Sequence, residues 1–599
     1  PPHLTAGVAQ SRGIKARDPS AEAPMPATSQ TTTASVRRLP NLFDIAAMLL
    51  LAAGLMAVAN VARHTLGPLA ATQVEPIHLE WTYLPGYALR TTLRMFAALG
   101  VSLLFTFIYA TWAAKSRRAR LILIPILDIL QSLPIFGFLT FTVTFFLGLF
   151  PGQVLGAELA VVFVIFTSQA WNMTFSMYQS LTTVPADLDE ACRGFQLSTW
   201  QRFWRLDVPF AMPGLLWNMM MSMSGGWFAL VASEFVTVGN TTFVLPGIGS
   251  YIKTALEARD IHAVFYAIAA MFLVILGYDQ LLFRPLVAWS AKFRFETTQQ
   301  DQGSDPWMLT VLHRTRLLRG IAELFGRSFF AVSGLRLGWS SARAVAITPR
   351  GSRVRDVLWA SVLGVLVALA VWRIYRFCAT SNLGWGDVGI AVTMGFFTLL
   401  RVMALMVVAT IIWVPIGVMI GLRPKLARRV GAAAQFLAAF PANLLFPLFV
   451  VYIIRFHLNV DIWLTPLIIL GAQWYVAFNV IAGANAFPGD LREAARNFQV
   501  GGLLWWRRVI IPGIFPYFVT GAITASGGAW NAAVLAEIVT WGTTTLRAHG
   551  LGAYIQDATT QGDYGRVLLG MVVMATYVLT FNRLVWRPLY AYSSKRLTL

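Results

Sequence analysis

Asp187-Leu-Asp-Glu-Ala-Cys-Arg-Gly-Phe-Gln-Leu-Ser-Thr-Trp-Gln-Arg-Phe-Trp-Arg-Leu-Asp-Val-Pro209 and Asp490-Leu-Arg-Glu-Ala-Ala-Arg-Asn-Phe-Gln-Val-Gly-Gly-Leu-Leu-Trp-Trp-Arg-Arg-Val-Ile-Ile-Pro512 are two versions of one stretch. Each reads as a short amphipathic helix, a turn, and a second helix rich in basic and aromatic residues. A proline then stands where the next apolar run begins. A proline at the first position of a helix loses an N–H that would have had no partner there, so the sequence predicts that a new helix starts at Pro209 and at Pro512. Such a segment can dock into a groove on a soluble partner, or lie on lipid, held by its Arg and Trp residues.

The two copies stand 303 residues apart, and the same offset pairs Trp227 with Trp530, Glu234 with Glu537, Gly247 and Gly249 with Gly550 and Gly552, and Arg284-Pro285-Leu286 with Arg587-Pro588-Leu589. Upstream, Arg94 and Pro134 pair with Arg401 and Pro441 at an offset of 307, so the second copy is four residues shorter between Pro134 and Trp171. The chain is an internal duplication.

Apolar runs surround these loops. In the first half they lie near 44–62, 88–113, 121–149, 155–180, 212–238 and 262–283, and in the second near 356–375, 390–421, 430–454, 462–484, 513–540 and 566–586. Each is long enough for a bilayer core, which takes about 20 helical residues. Of the 599 residues 57% are hydrophobic and only 12% charged, against roughly 25% charged in soluble domains. The expected fold is therefore an all-α membrane protein of about twelve spans in two six-helix repeats. An even number of spans makes the repeats parallel, related by a pseudo-twofold axis along the membrane normal. That symmetry suits any duplicated transporter. Four segments are expected: a disordered tail 1–43, a first repeat 44–289, a basic linker 290–355 and a second repeat 356–599.

Lys+Arg number 47 against 27 Asp+Glu, and the excess clusters in alternate loops: Lys115 to Arg120, Arg193 to Arg205, Arg284 onward, Arg423 to Arg429, and Arg492 to Arg508. By the positive-inside rule these loops, the linker and both termini are cytoplasmic. The charge is then a topology signal and calls for no nucleic-acid partner. Within the linker, Arg314, Arg316, Arg319 and Arg327 are interspersed among apolar residues at three and four spacing. This predicts an amphipathic helix on the inner leaflet, with docking to a soluble partner as the sharper alternative. Two cysteines exclude a disulfide scaffold, and seven histidines without an i, i+4 pair on a span give no metal site. No Gly-Lys-Ser/Thr phosphate loop occurs, so the chain lacks the usual means of hydrolysing ATP and is not expected to be an enzyme.

The loops resemble the Glu-Ala-Ala loop of ABC importer permeases: Glu-Ala-Ala, three residues, Gly, nine residues, then Ile-x-Leu-Pro. Glu190-Ala191-Cys192 and Glu493-Ala494-Ala495 match its start, Arg193 and Arg496 follow, and Leu206 to Pro209 and Val509 to Pro512 match its end. The Gly position holds Gln196 and Gln499, which makes a turn of positive φ costlier. The stretches Leu245-Pro-Gly-Ile-Gly-Ser-Tyr-Ile252 and Ala548-His-Gly-Leu-Gly-Ala-Tyr-Ile555 are similar to permeases of the nitrate/taurine/sulfonate/bicarbonate group. The resemblance implies a membrane subunit, here with both halves fused. It would take two cytoplasmic ATPases carrying ATP and Mg, one per loop, and a solute-binding protein outside, with no cofactor of its own. It implies a bacterial inner membrane and a small solute, an anion by analogy. An ion-coupled secondary transporter and a non-transporting scaffold are the rival readings.

Candidate pathway residues are few. Glu234 and Glu537 end apolar spans, where an unpaired carboxylate is costly; they either serve the pathway or bond to the Gly-rich loop. Arg94 and Arg401 either draw in an anion or pair with those carboxylates. Trp227 and Trp530 follow small residues inside the fifth spans and either line the route or fill a packing notch. Phe228 stands opposite Asn531 in the alignment, so the two walls differ.

Overall fold

In the computed structural model, residues 76–132, 139–238, 241–290, 316–337, 383–423 and 440–596 are described, with breaks at 486, 488 and 542–543; elsewhere only isolated positions are. The tail 1–43 and the expected first span 44–62 lie outside them, and the expected span 356–375 is covered at isolated positions only.

The two halves repeat one element order. The first runs through helices Leu84–Lys115, Val154–Thr182, Val208–Ser233 and Ile261–Tyr278, and the second through Trp385–Gly421, Thr465–Asn485, Ile511–Ala536 and Tyr564–Phe581. Seven described helices are long and apolar enough to cross a membrane, and Val460–Leu470 with Ala472–Asn485, bent by 45°, makes an eighth. The third apolar run of each half is described in part. In the first half Arg117–Ser132 and Leu139–Leu149 share it, and in the second the short helix Phe446–Arg455 follows a 3₁₀ turn at Ala442–Leu445.

The prolines do not start new helices, as the sequence suggested. One continuous helix runs from Thr199 to Ser233 and another from Gly502 to Ala536. Wide π turns occupy Phe203–Asp207 and Trp506–Ile510, and also Asp279–Phe283 and Asn582–Trp586. All four lie two residues before a proline: Pro209, Pro512, Pro285 and Pro588. A proline in a helix lacks its N–H and presses its ring on the carbonyl four residues back. In all four cases that carbonyl belongs to the π turn, which opens the ladder there and lets the helix continue.

The fifth spans also end sooner than expected. Phe235–Val238 pairs antiparallel with Thr241–Val244, and Ile538–Trp541 with Thr544–Arg547. These β-branched and aromatic runs prefer an extended backbone, and the helix gives way at Glu234 and Glu537. Each hairpin reaches across to the other half, where it packs against the short helix after the Gly-rich stretch, Leu551–Gln561 or Ile248–Glu257. The exchange is reciprocal, as a pseudo-twofold interface requires. Each half keeps its own apolar core, and each core includes residues from the other half: Val164, Ala229 and Ala232 join the second, and Leu444 joins the first.

Candidate functional site

Both loops fold as the same helix-turn-helix. The helices Ala186–Gly194 and Gly489–Asn497 end in Schellman turns. Leu197 N donates to Cys192 O at 3.1 Å and Gln196 N to Arg193 O at 3.0 Å; Val500 N donates to Ala495 O at 2.8 Å and Gln499 N to Arg496 O at 3.0 Å. The residue after the cap in this motif takes the left-handed conformation, and Gln196 and Gln499 do so, with φ of 50° and 54°. The bend is therefore the one a glycine would make, at a cost of roughly 1–2 kcal/mol for a residue with a Cβ. Cys192 and Ala495, both small, are buried under the turn. Glu190, Ala191, Arg193, Glu493 and Arg496 are exposed, Ala494 half-buried, and Pro209 and Pro512 half-buried at the root of the next span. The sequence reading passed over the residue at the tip. Phe195 is 80% exposed and Phe498 82%, at matched positions and beside each turn.

The Gln residues give a direct test. Gln196→Gly is expected to stabilise the loop by about 0.5–1 kcal/mol, the relieved strain less the entropy glycine adds to the unfolded chain. Slower hydrogen exchange at the Leu197 amide would report it; faster exchange would contradict the strain.

The two loops are held down differently. In the first, Asp189 pairs with Arg193 at 2.8 Å and with Arg202, while buried Asp207 pairs with Lys115 and with Arg202 at 3.6 Å. The counterparts of Arg202, Asp207 and Lys115 are Trp505, Ile510 and Leu422, and Asp189 becomes Arg492. Apolar packing replaces the ion pairs in the second loop.

At the opposite end of the spans a second matched constellation appears. Glu234 is fully buried. Its Oε1 accepts from Thr91 Oγ1 at 2.7 Å and Arg94 Nη1 at 2.8 Å, and its Oε2 from Gly249 N at 2.6 Å. Arg94 also donates twice to Glu158, at 2.6 and 2.7 Å, and to Pro246 O at 3.0 Å. In the second half Glu537 accepts from Thr398 at 2.7 Å, Arg401 at 3.0 Å and Gly552 N at 2.6 Å, and Arg401 donates to Asp461 at 2.8 Å. Each carboxylate also caps the first turn of the following helix, where the exposed N–H groups and the helix dipole favour a negative charge. Glycine is required at 247 and 550, because a Cβ there would lie 2.2 Å from the carboxylate. Glu158 and Asp461 were not singled out from sequence, although they are a carboxylate pair at the 303 offset. They also place the four-residue difference between the halves before Glu158.

A cavity of about 120 Å³ lies between the halves. Its wall includes Ser168, Asn172, Ser222, Ser224 and Phe228 from the first half and Tyr475, Thr524, Gly527 and Asn531 from the second. Among the described residues no charged side chain lines it. On its loop side, sharing Ser224 and Tyr475, Trp217, Met220, Met221, Trp474 and Phe478 enclose only about 20 Å³, and the Trp217 and Phe478 rings meet edge to face across the two halves at 6.1 Å. Of the sequence candidates, Phe228 and Asn531 line the cavity. Trp227 and Trp530 do not: they are 0% and 1% exposed. Trp227 stacks on Tyr278 and donates to its hydroxyl at 3.1 Å; Trp530 stacks on Tyr577. Arg94, Arg401, Glu234 and Glu537 are engaged in the outer clusters and also lie off the cavity wall. Among the described residues no cluster of His, Cys, Asp or Glu has the arrangement of a metal site.

Two parallel helical halves around a mainly apolar cavity with a few amide and hydroxyl groups on its wall, with matched loops at one end, define a duplicated membrane permease. The chain belongs to the binding-protein-dependent transport system inner membrane component family, whose model matches residues 85–282 and 413–598, more than half of the chain. The chain is 31% identical over 118 residues to the nitrate import permease protein NrtB of Leptolyngbya laminosa, covering 20% of this chain and 40% of that protein. It is 27% identical over 178 residues to the bicarbonate transport system permease protein CmpB of Synechococcus elongatus, covering 30% and 61%. The glycine betaine/proline betaine transport system permease protein ProW of Escherichia coli is 33% identical over 142 residues, covering 23% and 37%. The alignments thus span less than two thirds of each relative's length.

Proposed function

We propose that this chain is the membrane subunit of an ABC importer, with both transmembrane halves on one polypeptide, 44–289 and 356–599, joined by the linker 290–355. Each Glu-Ala loop, including Glu190 and Glu493, docks one ATPase in the cytoplasm of a bacterial cell. ATP and Mg act on those subunits, and a solute-binding protein delivers the solute to the outer face. The linker and both termini are cytoplasmic. A small solute passes through the cavity between Phe228 and Asn531.

The observation that carries this reading is the pair of matched Schellman turns, each presenting an exposed phenylalanine at the same end of its half. An exposed aromatic beside an ordered turn suits a groove on a protein partner. An ion-coupled transporter is disfavoured because Glu158, Glu234, Asp461 and Glu537 are each committed to an arginine, and among the described residues no carboxylate lines the cavity. The nitrate and bicarbonate relatives favour a small anion as solute. The neutral wall would bind it through amide and hydroxyl donors.

Native mass spectrometry of the complex purified with its ATPase tests the reading. The expected composition is one permease chain to two ATPase chains. Two permease chains per two ATPases, or a permease that transports without any ATPase, would overturn it.

A further inference from the structure

The linker helix Arg316–Gly334 does not stand apart from the bundle. Its end lies on the second helix of the first loop. Trp200 Nε1 donates to Val332 O at 2.8 Å, Gln201 Nε2 donates to Gly334 O at 2.7 Å, and Trp204 meets Phe329 edge to face at 5.1 Å. The accepting carbonyls belong to the last turn of the linker helix, where intrahelical partners run out. The first loop therefore caps the linker helix.

The second loop cannot do this. The counterparts of Trp200 and Gln201 are Leu503 and Leu504, which have no side-chain donor and stand 83% and 53% exposed. The donors occur only in the half that the linker touches. Where linker and first loop meet, an open notch is lined by Phe195, Gln196, Leu197, Gln201, Arg205 and Arg336. Arg205 and Arg336 are both exposed, and among the described residues neither has an ion-pair partner. The second loop keeps Arg508 in the place of Arg205, and among the described residues none stands in the place of Arg336.

We infer that the linker completes the docking surface of the first loop alone, and that a carboxylate of the ATPase bound there sits between Arg205 and Arg336 beside Phe195. The inference rests on the proposed docking of an ATPase at each loop. A forked guanidinium pair matches a carboxylate in geometry and charge, and the notch is continuous with the exposed tip of the loop. The two ATPase sites of this permease are then chemically different: the first is composite, with Arg336 of the linker beside Arg205, and the second is built on its own loop, with Arg507 and Arg508 exposed beside uncovered Leu503 and Leu504.

Three variants, each co-expressed with the cognate ATPase, decide the matter by native mass spectrometry across a salt series. Arg336→Glu is expected to weaken one of the two sites at least tenfold, so that a complex with a single ATPase accumulates. Trp200→Leu with Gln201→Leu copies the second loop. It is expected to speed hydrogen exchange over residues 316–337 and to produce the same single-ATPase complex. Glu190→Arg with Glu493→Arg is expected to remove both ATPases. If the first two variants keep both ATPases with unchanged salt dependence while the third loses them, the composite surface is wrong and docking through the loops stands. If the third also keeps both, the proposed docking itself fails and the inference falls with it. If Arg336→Glu keeps both ATPases but lowers binding to phosphatidylglycerol vesicles, the notch holds a lipid headgroup and the inference is overturned.

Discussion

Glu234→Ala is expected to lower the stability of the protein by about 3–5 kcal/mol, the usual cost of removing one partner from a buried ion pair. The carboxylate is fully buried and receives Thr91, Arg94 and the Gly249 amide at 2.6–2.8 Å. Its removal takes an acceptor from three donors at once, and a buried donor left unsatisfied, as the Gly249 amide would be, costs about 1–3 kcal/mol. Glu537→Ala should behave alike, since Thr398, Arg401 and the Gly552 amide converge on it. Arg94 retains Glu158 in the first case, and Arg401 retains Asp461 in the second. Asp461 is 40% exposed at its side chain against 16% for Glu158, so the second arginine has access to water and its variant should suffer less. Thermal unfolding in detergent measures the order. A midpoint for Glu234→Ala within error of wild type would mean that the cluster does not hold the span to the Gly-rich turn.

Asn531→Phe is expected to reduce transport at least tenfold, while Phe228→Leu leaves it near wild type. Both residues line the cavity of about 120 Å³ between the halves. An apolar cavity of roughly 150 Å³ is filled by one benzene, so a phenyl ring directed from position 531 takes the space the solute needs. The same change removes the amide from one wall, and a few placed polar groups fix orientation in a mainly apolar site. Phe228→Leu keeps an apolar wall and adds room. Transport by the two variants, matched for ATPase binding, separates these effects. Wild-type transport by Asn531→Phe would place the route elsewhere.

Much of this protein is legible as text because its halves are copies. The 303 offset aligns Glu234 with Glu537 and Gly247 with Gly550, and the structure gives both members of each pair the same partners. The offset held Glu158 and Asp461 as well, but each lies at or beside the start of an apolar run, sixty residues or more from its arginine. Nothing local in a sequence reports a contact at that range. The same limit hid the linker's attachment, because Trp200 and Gln201 donate to carbonyls over 130 residues away, and carbonyls have no sequence signature.

The sequence by itself determined the membrane class, the duplication, the loops and their glutamines, since hydropathy, repetition and spacing are properties of the chain read in order. Only the tertiary structure decided which candidates face the cavity. Trp227 and Phe228 are neighbours in sequence, yet on a helix consecutive side chains point about 100° apart, so one is sealed against Tyr278 and the other lines the space between the halves. Tertiary structure also decided how the helices pass their prolines. A proline announces a break, but a π turn before each of these four opens the ladder where the ring would clash and lets the helix continue.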